Sequence, residues 1–311
     1  MDKIKIRRKY LTISLLDQQW GIAVNSVGSQ SISENESYPP QEHPSRYLFS
    51  PQNGRVLHEY QLLYITKGQG QFKSRSTDIV RVKEGDMFLL FPGEWHNYRP
   101  DIETGWKEYW IGFNGKIIDE WVKSGFFQKD SPIMNVGLNE ELITLYKRAI
   151  TIAEAQEANY QQALAGIVSY LMSSAIYYNR NRDFEKSDIS SLISAAKASV
   201  QENLSYVTPE QMAESVCMGY SKFRKVFKEY TGFSPLQYIQ EVRISVAKEL
   251  LTNTSKSIKE IAFELGYENK DYFFTVFKKV SGLTPIAYRK YTRGEALGLD
   301  ECKTDSLIVK F

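Results

Sequence analysis

The chain has 311 residues, enough for two domains of ordinary size, each with its own core. Its 39 Lys+Arg against 37 Asp+Glu leave a net charge of only +2, so any attraction to a polyanion must come from charges gathered on one face, not from bulk charge. Two cysteines far apart, Cys217 and Cys302, lack metal-ligand spacing and fit a reducing cytoplasm, and neither a signal peptide nor a run of eighteen apolar residues indicates export or a membrane span.

Residues 1–44 open with a basic arm, Arg7, Arg8 and Lys9, and continue into the polar, proline-bearing SISENESYPPQEHP. A flexible or extended segment is expected there, with a short strand at Trp20–Val24. From Tyr47 to Phe113 the pattern is one of strands. EYQLLYITKGQGQF is a strand interrupted by Gly68 and Gly70, DIVRV follows, and MFLLF is a buried strand stopped by Pro92–Gly93. WKEYWIGF alternates and is strongly aromatic. Short strands with glycine punctuation predict a sandwich or barrel.

GDMFLLFPGEWHNY, residues 85–98, resembles the second motif of cupin barrels. Many cupins are metal enzymes, which makes a sugar-modifying enzyme the competing class. Such a site needs several converging His or Glu ligands. This chain has three histidines in all, His43, His58 and His96, and lacks the H-x-H partner motif. No metal, cofactor or catalytic residue is therefore expected, and a small molecule is the natural occupant of the barrel.

Residues 139–180 change period and read as two helices. Leu142, Leu145, Tyr146 and Ala149 share one face; Ile167, Leu171, Ser174 and Tyr178 share another. That is more apolar surface than one face needs, and either dimerisation or packing onto the barrel would use it. NRNRDFEKSD, 179–188, reads as a polar linker.

The rest of the chain says nearly the same thing twice. Ala213 matches Ala262 at an offset of 49; beyond the turn the offset is 50, pairing Phe223 with Phe273, Phe227 with Phe277, Gly232 with Gly282 and Pro235 with Pro285. Each copy reads as helix, turn, helix. Thr208 and Ser257 are N-caps, Pro209 stands at a first helical position, and Gly219 and Gly266 punctuate the turns. In the second helix of the first copy, Phe223, Val226 and Phe227 form an apolar stripe that leaves Ser221, Lys222, Arg224, Lys225 and Lys228 on the opposite face. That arrangement fits DNA major-groove recognition. A charged helical face can also be merely solvated, and a helical protein–protein adaptor is a third reading. Two copies joined by a helix from about Pro235 to Leu251, a rod near 24 Å at roughly 1.5 Å per residue, could span about one DNA turn, near 34 Å. Residues 187–293 carry 15 Lys+Arg and 11 Asp+Glu, a balance of +4 that leaves −2 elsewhere.

The repeat, ending in FKKVSGLTPIAYR, resembles the tandem helix–turn–helix domain of the AraC family of bacterial transcription regulators, and the likeness covers residues 187–293. The chain departs from the family where Phe274 and Thr275 replace a small residue and an arginine. By the same resemblance, residues 47–113 look like the sensor domain of the arabinose-responsive regulators, which places Tyr98, Glu108, Trp110, His96 and Arg55 at effector-contacting positions. The resemblance implies the following organisation. An α+β chain of two domains carries a cupin-like jelly-roll barrel with an arm (1–136) and a dimerising helical pair (137–180). A linker (181–188), a double helix–turn–helix (189–293) and a tail (294–311) follow. The implied function is a cytoplasmic, homodimeric, sequence-specific regulator, not an enzyme, modulated by a small effector, most simply a sugar. Its partners are promoter DNA and, for an activator, RNA polymerase. Arg224 and Lys225 would meet base edges with help from Ser221 and Lys222; Lys228, Lys270, Lys278 and Lys279 would meet phosphates; Asn269, Asp271, Phe274 and Thr275 complete the candidate DNA surface.

Overall fold

A computed structural model of the chain describes residues 6–39, 53–185 and 188–295. They form two compact units that part between Lys186 and Ser187. The first is built on an antiparallel sheet and the second is all helix, an α+β division of the chain.

The amino-terminal stretch is more ordered than its composition suggests. β1 (Arg7–Tyr10), α1 (Leu15–Gln19) and β2 (Ala23–Ile32) replace the expected flexible arm and short strand. Trp20 closes α1, and the strand begins only after Gly21. The reason is tertiary: β1 pairs with β2, and β2 runs its whole length against β8, so AVNSVGSQSI is a central strand despite its serines. Arg7 of the basic arm is paired with Glu154 at 2.5 Å. The PQEHP part of the polar stretch lies outside the described residues.

The remaining strands are β3 (Arg55–Val56), β4 (Tyr60–Ser74), β5 (Val80–Lys83), β6 (Asp86–Leu90), β7 (Trp95–Pro100), β8 (Trp106–Asn114) and β9 (Ile133–Asn135), with α2 (Lys116–Lys123) before β9. The path β1-β2-β8-β4-β6-β9 makes one layer. The fifteen-residue β4 then leaves that layer: Tyr60–Gly68 pairs with β6 and β8, whereas Gln69–Ser74 lies between β5 and β7. Its register shift between Ile65 and Lys67 marks the crossing.

Alternation along the strands separates two cores. Leu62, Tyr64, Tyr109, Ile111 and Phe113 face outward under helices α3 (Glu140–Ala155) and α4 (Tyr160–Glu185). Leu63, Ile65, Phe72, Phe88, Tyr98, Trp106 and Trp110 face the interior. The helices are fastened as well as packed. The Gln161 side chain accepts from Val24 N at 2.9 Å and donates to Val24 O at 3.0 Å, completing backbone bonding where β2 bulges between Val24 and Ser26. Tyr146 donates to Leu62 O at 3.2 Å. Packing on the sheet thus uses Leu142, Tyr146, Ala149 and Leu171. Helix α4 runs on through Arg182 to Glu185, so much of the stretch expected as linker is helical. Arg182 donates to the Asn135 side chain, tying that last turn to β9.

The second unit comprises α5 (Ile189–Glu202), α6 (Pro209–Glu214), α7 (Tyr220–Thr231), α8 (Pro235–Asn253), α9 (Ile258–Glu264), α10 (Lys270–Ser281) and α11 (Pro285–Thr292). Thr208 with Gln211, Ser234 with Gln237 and Ser257 with Glu260 form capping boxes that define three helix starts. Gly232 and Gly282, at φ 81° and 79°, end α7 and α10 in the left-handed conformation. Each helix–turn–helix has its own core, one around Phe223 and Phe227, the other around Phe273 and Phe277. A repeated arginine binds them. Arg243 donates to the carbonyls of Leu204 and Ser205 before α6; Arg293, fifty residues on, donates to those of Leu251 and Thr254 before α9.

The turns of the two copies differ. The left-handed residue of the first is Cys217, at φ 54°, and its counterpart in the second is Gly266, at φ 78°. Gly219 instead caps α7 at φ −63°. The sequence expectation placed the turn on Gly219 because glycine is the usual carrier of positive φ; here a cysteine bears that strain. Cys217 is exposed, and Cys302 lies outside the described residues.

Candidate effector pocket and nucleic-acid interface

Inside the sheet domain, alternation on β8 points Trp106, Glu108 and Trp110 to the interior, and Tyr109 to the helices, where it packs on Tyr146. Gln30 of β2 is register partner to Glu108, and its amide donates to Glu108 Oε1. Arg55 of β3 is register partner to His96 of β7. Its Nη2 donates to the Tyr98 hydroxyl at 2.9 Å, and its Nε to His96 Nε2 at 3.4 Å. His96 Nδ1 lies 3.1 Å from Glu94 O and donates to it, which leaves Nε2 as the acceptor. Burial and the neighbouring Arg55 push the imidazole down to about 3, so it is neutral.

Aromatic rings stand beside these groups. Tyr98 stacks on Trp106 at 6.1 Å and meets Phe88 edge-on at 5.5 Å, while Tyr38 meets Trp106 edge-on at 5.9 Å. Trp110 lies across Gly28: a Cβ there would come within 2.2 Å of the indole, so only glycine admits the ring. The expected residues Arg55, His96, Tyr98, Glu108 and Trp110 therefore line one interior. Gln30, Tyr38, Trp106 and Gly28 belong beside them. Gln30 was missed because its strand is polar in composition, and its same-face neighbours Gly28 and Ser26 add no apolar alternation that would mark the interior side.

Three atoms here are unusual. Gln30 Oε1, Glu108 Oε2 and Trp106 Nε1 are buried and find no hydrogen-bond partner among the described residues. Their residues are only 3%, 1% and 2% exposed. Burial pushes the Glu108 carboxyl up to about 7, although Gln30 and Arg55 pull it back. Each such orphaned atom costs about 1–3 kcal/mol. An amide oxygen and a carboxyl oxygen on paired strands, and an indole N–H two residues along β8 on the same face, thus stand unpaired beside aromatic rings. Among the described residues no three His, Cys, Asp or Glu side chains gather as metal ligands.

In the helical unit, Ser221, Lys222, Arg224, Lys225 and Lys228 are exposed on α7, opposite the buried Phe223 and Phe227. On α10, Lys270, Asp271, Thr275, Lys278 and Lys279 are exposed and Phe274 is partly buried. Asn269 is the N-cap, its side-chain oxygen accepting from Asp271 N at 2.7 Å.

Residues 35–172 match the AraC-like ligand binding domain, and residues 212–291 match a helix-turn-helix domain. The chain belongs to the AraC family of transcription regulators. The MmsAB operon regulatory protein of Pseudomonas aeruginosa is 27% identical over 241 residues, 76% of either chain. The lactose operon transcription activator of Staphylococcus xylosus is 28% identical over 250 residues, 77% of this chain and 86% of that one. The arabinose operon regulatory protein of Escherichia coli K12 is 27% identical over 254 residues, 74% and 80% of the two chains. This AraC-family regulator is thus a DNA-binding protein with a ligand-binding domain. No helix among its described residues is long and apolar enough to cross a membrane.

Proposed function

We propose that the regulator responds to a carbohydrate held in the interior of its sheet domain. The observation that carries this is the set of orphaned polar atoms on Gln30, Glu108 and Trp106, sealed beside the rings of Tyr98, Trp106 and Trp110. A sugar hydroxyl both donates and accepts, so vicinal hydroxyls can serve the Gln30 amide oxygen, the Glu108 carboxyl in either protonation state and the Trp106 indole N–H. The apolar face of a pyranose suits an aromatic wall. Two relatives named for the lactose and arabinose operons support a sugar as the class. In this reading Arg55, His96 and Tyr98 orient the ligand, and Glu108 and Trp110 contact it.

Binding that favours one of two conformations shifts their populations, and so alters DNA occupancy. Arg224 and Lys225 read base edges, aided by Ser221 and Lys222; Lys228, Lys270, Lys278 and Lys279 hold phosphates. The protein works in the cytoplasm as a homodimer, and where it activates, it meets RNA polymerase. The uncharged outer stripe of α4, formed by Ala163, Gly166, Tyr170, Ser173 and Tyr177, all exposed, supports the dimer.

The test is a thermal-shift screen of the full chain against mono- and disaccharides, repeated with Trp110→Ala. A ligand at a hundred times its Kd stabilises by about 2.7 kcal/mol. A hit that disappears in the variant is the expected result; silence across the panel from a protein that still binds DNA would remove the sugar.

A further inference from the structure

The two recognition helices sit in matching frames but carry different chemistry. Each is twelve residues long, buries two phenylalanines fifty residues apart from their counterparts, and ends in a left-handed glycine. The offset lays Arg224 on Phe274, Lys225 on Thr275 and Lys228 on Lys278. On α7, the side chains of Arg224, Lys225 and Lys228 are exposed and form no hydrogen bond or ion pair among the described residues, so they are available to a partner.

On α10 three polar groups of the first turns, those of Thr275, Lys270 and Tyr272, are engaged within the unit. The Thr275 hydroxyl donates to Asp271 O at 3.0 Å, so on this exposed residue the methyl group is the part left without a hydrogen bond. The Lys270 ammonium lies 5.3 Å from the Phe274 ring centre. The Tyr272 hydroxyl accepts from Gln240 at 3.1 Å. At the position where α7 presents a fork of donors, α10 presents a ring and a methyl group.

We propose that α10 reads the thymine C5-methyl group through Phe274 and the Thr275 methyl, so that the second unit selects A·T pairs where the first selects guanine through Arg224. This rests on the DNA-binding reading of the two units. The thymine methyl is the one apolar group that base edges offer in the major groove. A phenyl ring cannot satisfy guanine O6 and N7 or the cytosine amino group, so a G·C pair under Phe274 would lose hydrogen bonds to water without replacement. Lys278, with Lys279 beside it, supplies phosphate contacts that hold the register.

The experiment selects sequences bound by the full chain from a random duplex pool, then replaces each thymine of the enriched site by deoxyuridine in turn. The expected result is two half-sites about one turn apart. In one, a preferred guanine is lost from the pool selected by Arg224→Ala. In the other, deoxyuridine at a single thymine weakens wild-type binding about fourfold, the worth of one buried methyl group, and has no further effect in Phe274→Ala. Phe274→Arg should change that thymine to guanine in a fresh selection. Tolerance of deoxyuridine at every position by the wild-type chain, which needs no variant to fold, overturns the inference, as does an unchanged penalty in Phe274→Ala. A pool that enriches no sequence overturns the DNA-reading assignment itself and this inference with it.

Discussion

Glu108 and His96 share one interior and are displaced in opposite directions, and stability should record both. The Glu108 carboxyl titrates near 7 when folded against 4.5 ordinarily, so the folded chain holds the extra proton between those values. Its contribution is complete below about 4.5 and is lost as pH rises through about 7. His96 goes from 6.5 to about 3, so its contribution is complete above about 6.5 and is lost as pH falls toward 3. Between pH 4.5 and 6.5 the two slopes, each up to about 1.4 kcal/mol per pH unit, oppose one another. Glu108→Gln should therefore make the melting temperature climb more steeply from pH 5 to 6.5 than in the wild type. His96→Asn should make it fall over the same range. Parallel curves for all three proteins would show that neither group titrates as argued. On the DNA side, Arg224→Ala is expected to cost about 1–3 kcal/mol on the selected site. Fluorescence anisotropy showing the same loss on unrelated duplexes would reassign Arg224 to a phosphate.

At the scale of the element, the repeat provides its own control. Cys217 and Gly266 occupy equivalent left-handed positions, but their surroundings differ. Cys217 is exposed, while a Cβ on Gly266 would come within 1.9 Å of the Ser205 carbonyl oxygen, on the segment that Arg243 holds. Cys217→Gly relieves backbone strain at no packing cost and should raise the stability of the helical unit by up to about 1 kcal/mol. Gly266→Ala adds a backbone clash to the strain and should lower it by more than about 2 kcal/mol. Chemical denaturation of both variants measures the difference; equal effects would mean that the close approach to Ser205 yields easily. These elements are legible in the sequence. The N-caps Thr208 and Ser257 and the i, i+3, i+4 apolar stripes Phe223–Val226–Phe227 and Phe273–Val276–Phe277 are local signals, and the structure follows them. The amino-terminal strands were not legible, because β2 has its reason for being a strand in β8, some eighty residues away, and β1 pairs on β2 in turn.

For the molecule as a whole, the proposed self-association can be separated from folding at Gly166. It lies on the exposed stripe of α4, and an added Cβ there meets nothing within 4 Å. Gly166→Glu should leave the monomer fold intact, and even favour the helix by a few tenths of a kcal/mol or more. It should nonetheless shift sedimentation from dimer to monomer, because a buried unpaired carboxylate is costly at an interface. A variant that sediments like the wild type would place any dimer contact elsewhere. The candidate pocket also belongs to this scale. Tyr98, Glu108 and Trp110 were named from resemblance, but their meeting with Gln30, Tyr38 and Arg55 depends on pairings among strands that begin and end far apart in the chain.

The sequence by itself determined the duplicated helix–turn–helix, its cores and its exposed basic face, because helical period, caps and turns act over a few residues. It also determined the strand character of the stretch 47–113, of which 47–52 lie outside the described residues, since alternation is local as well. Only the tertiary structure decided which strands are neighbours, that polar AVNSVGSQSI lies at the centre of a sheet, and that Gln30, Trp106 and Glu108 turn unpaired atoms into one interior. Strand pairing joins residues whose separation leaves no periodic trace, so the chemistry of the pocket appears only when the sheet is assembled.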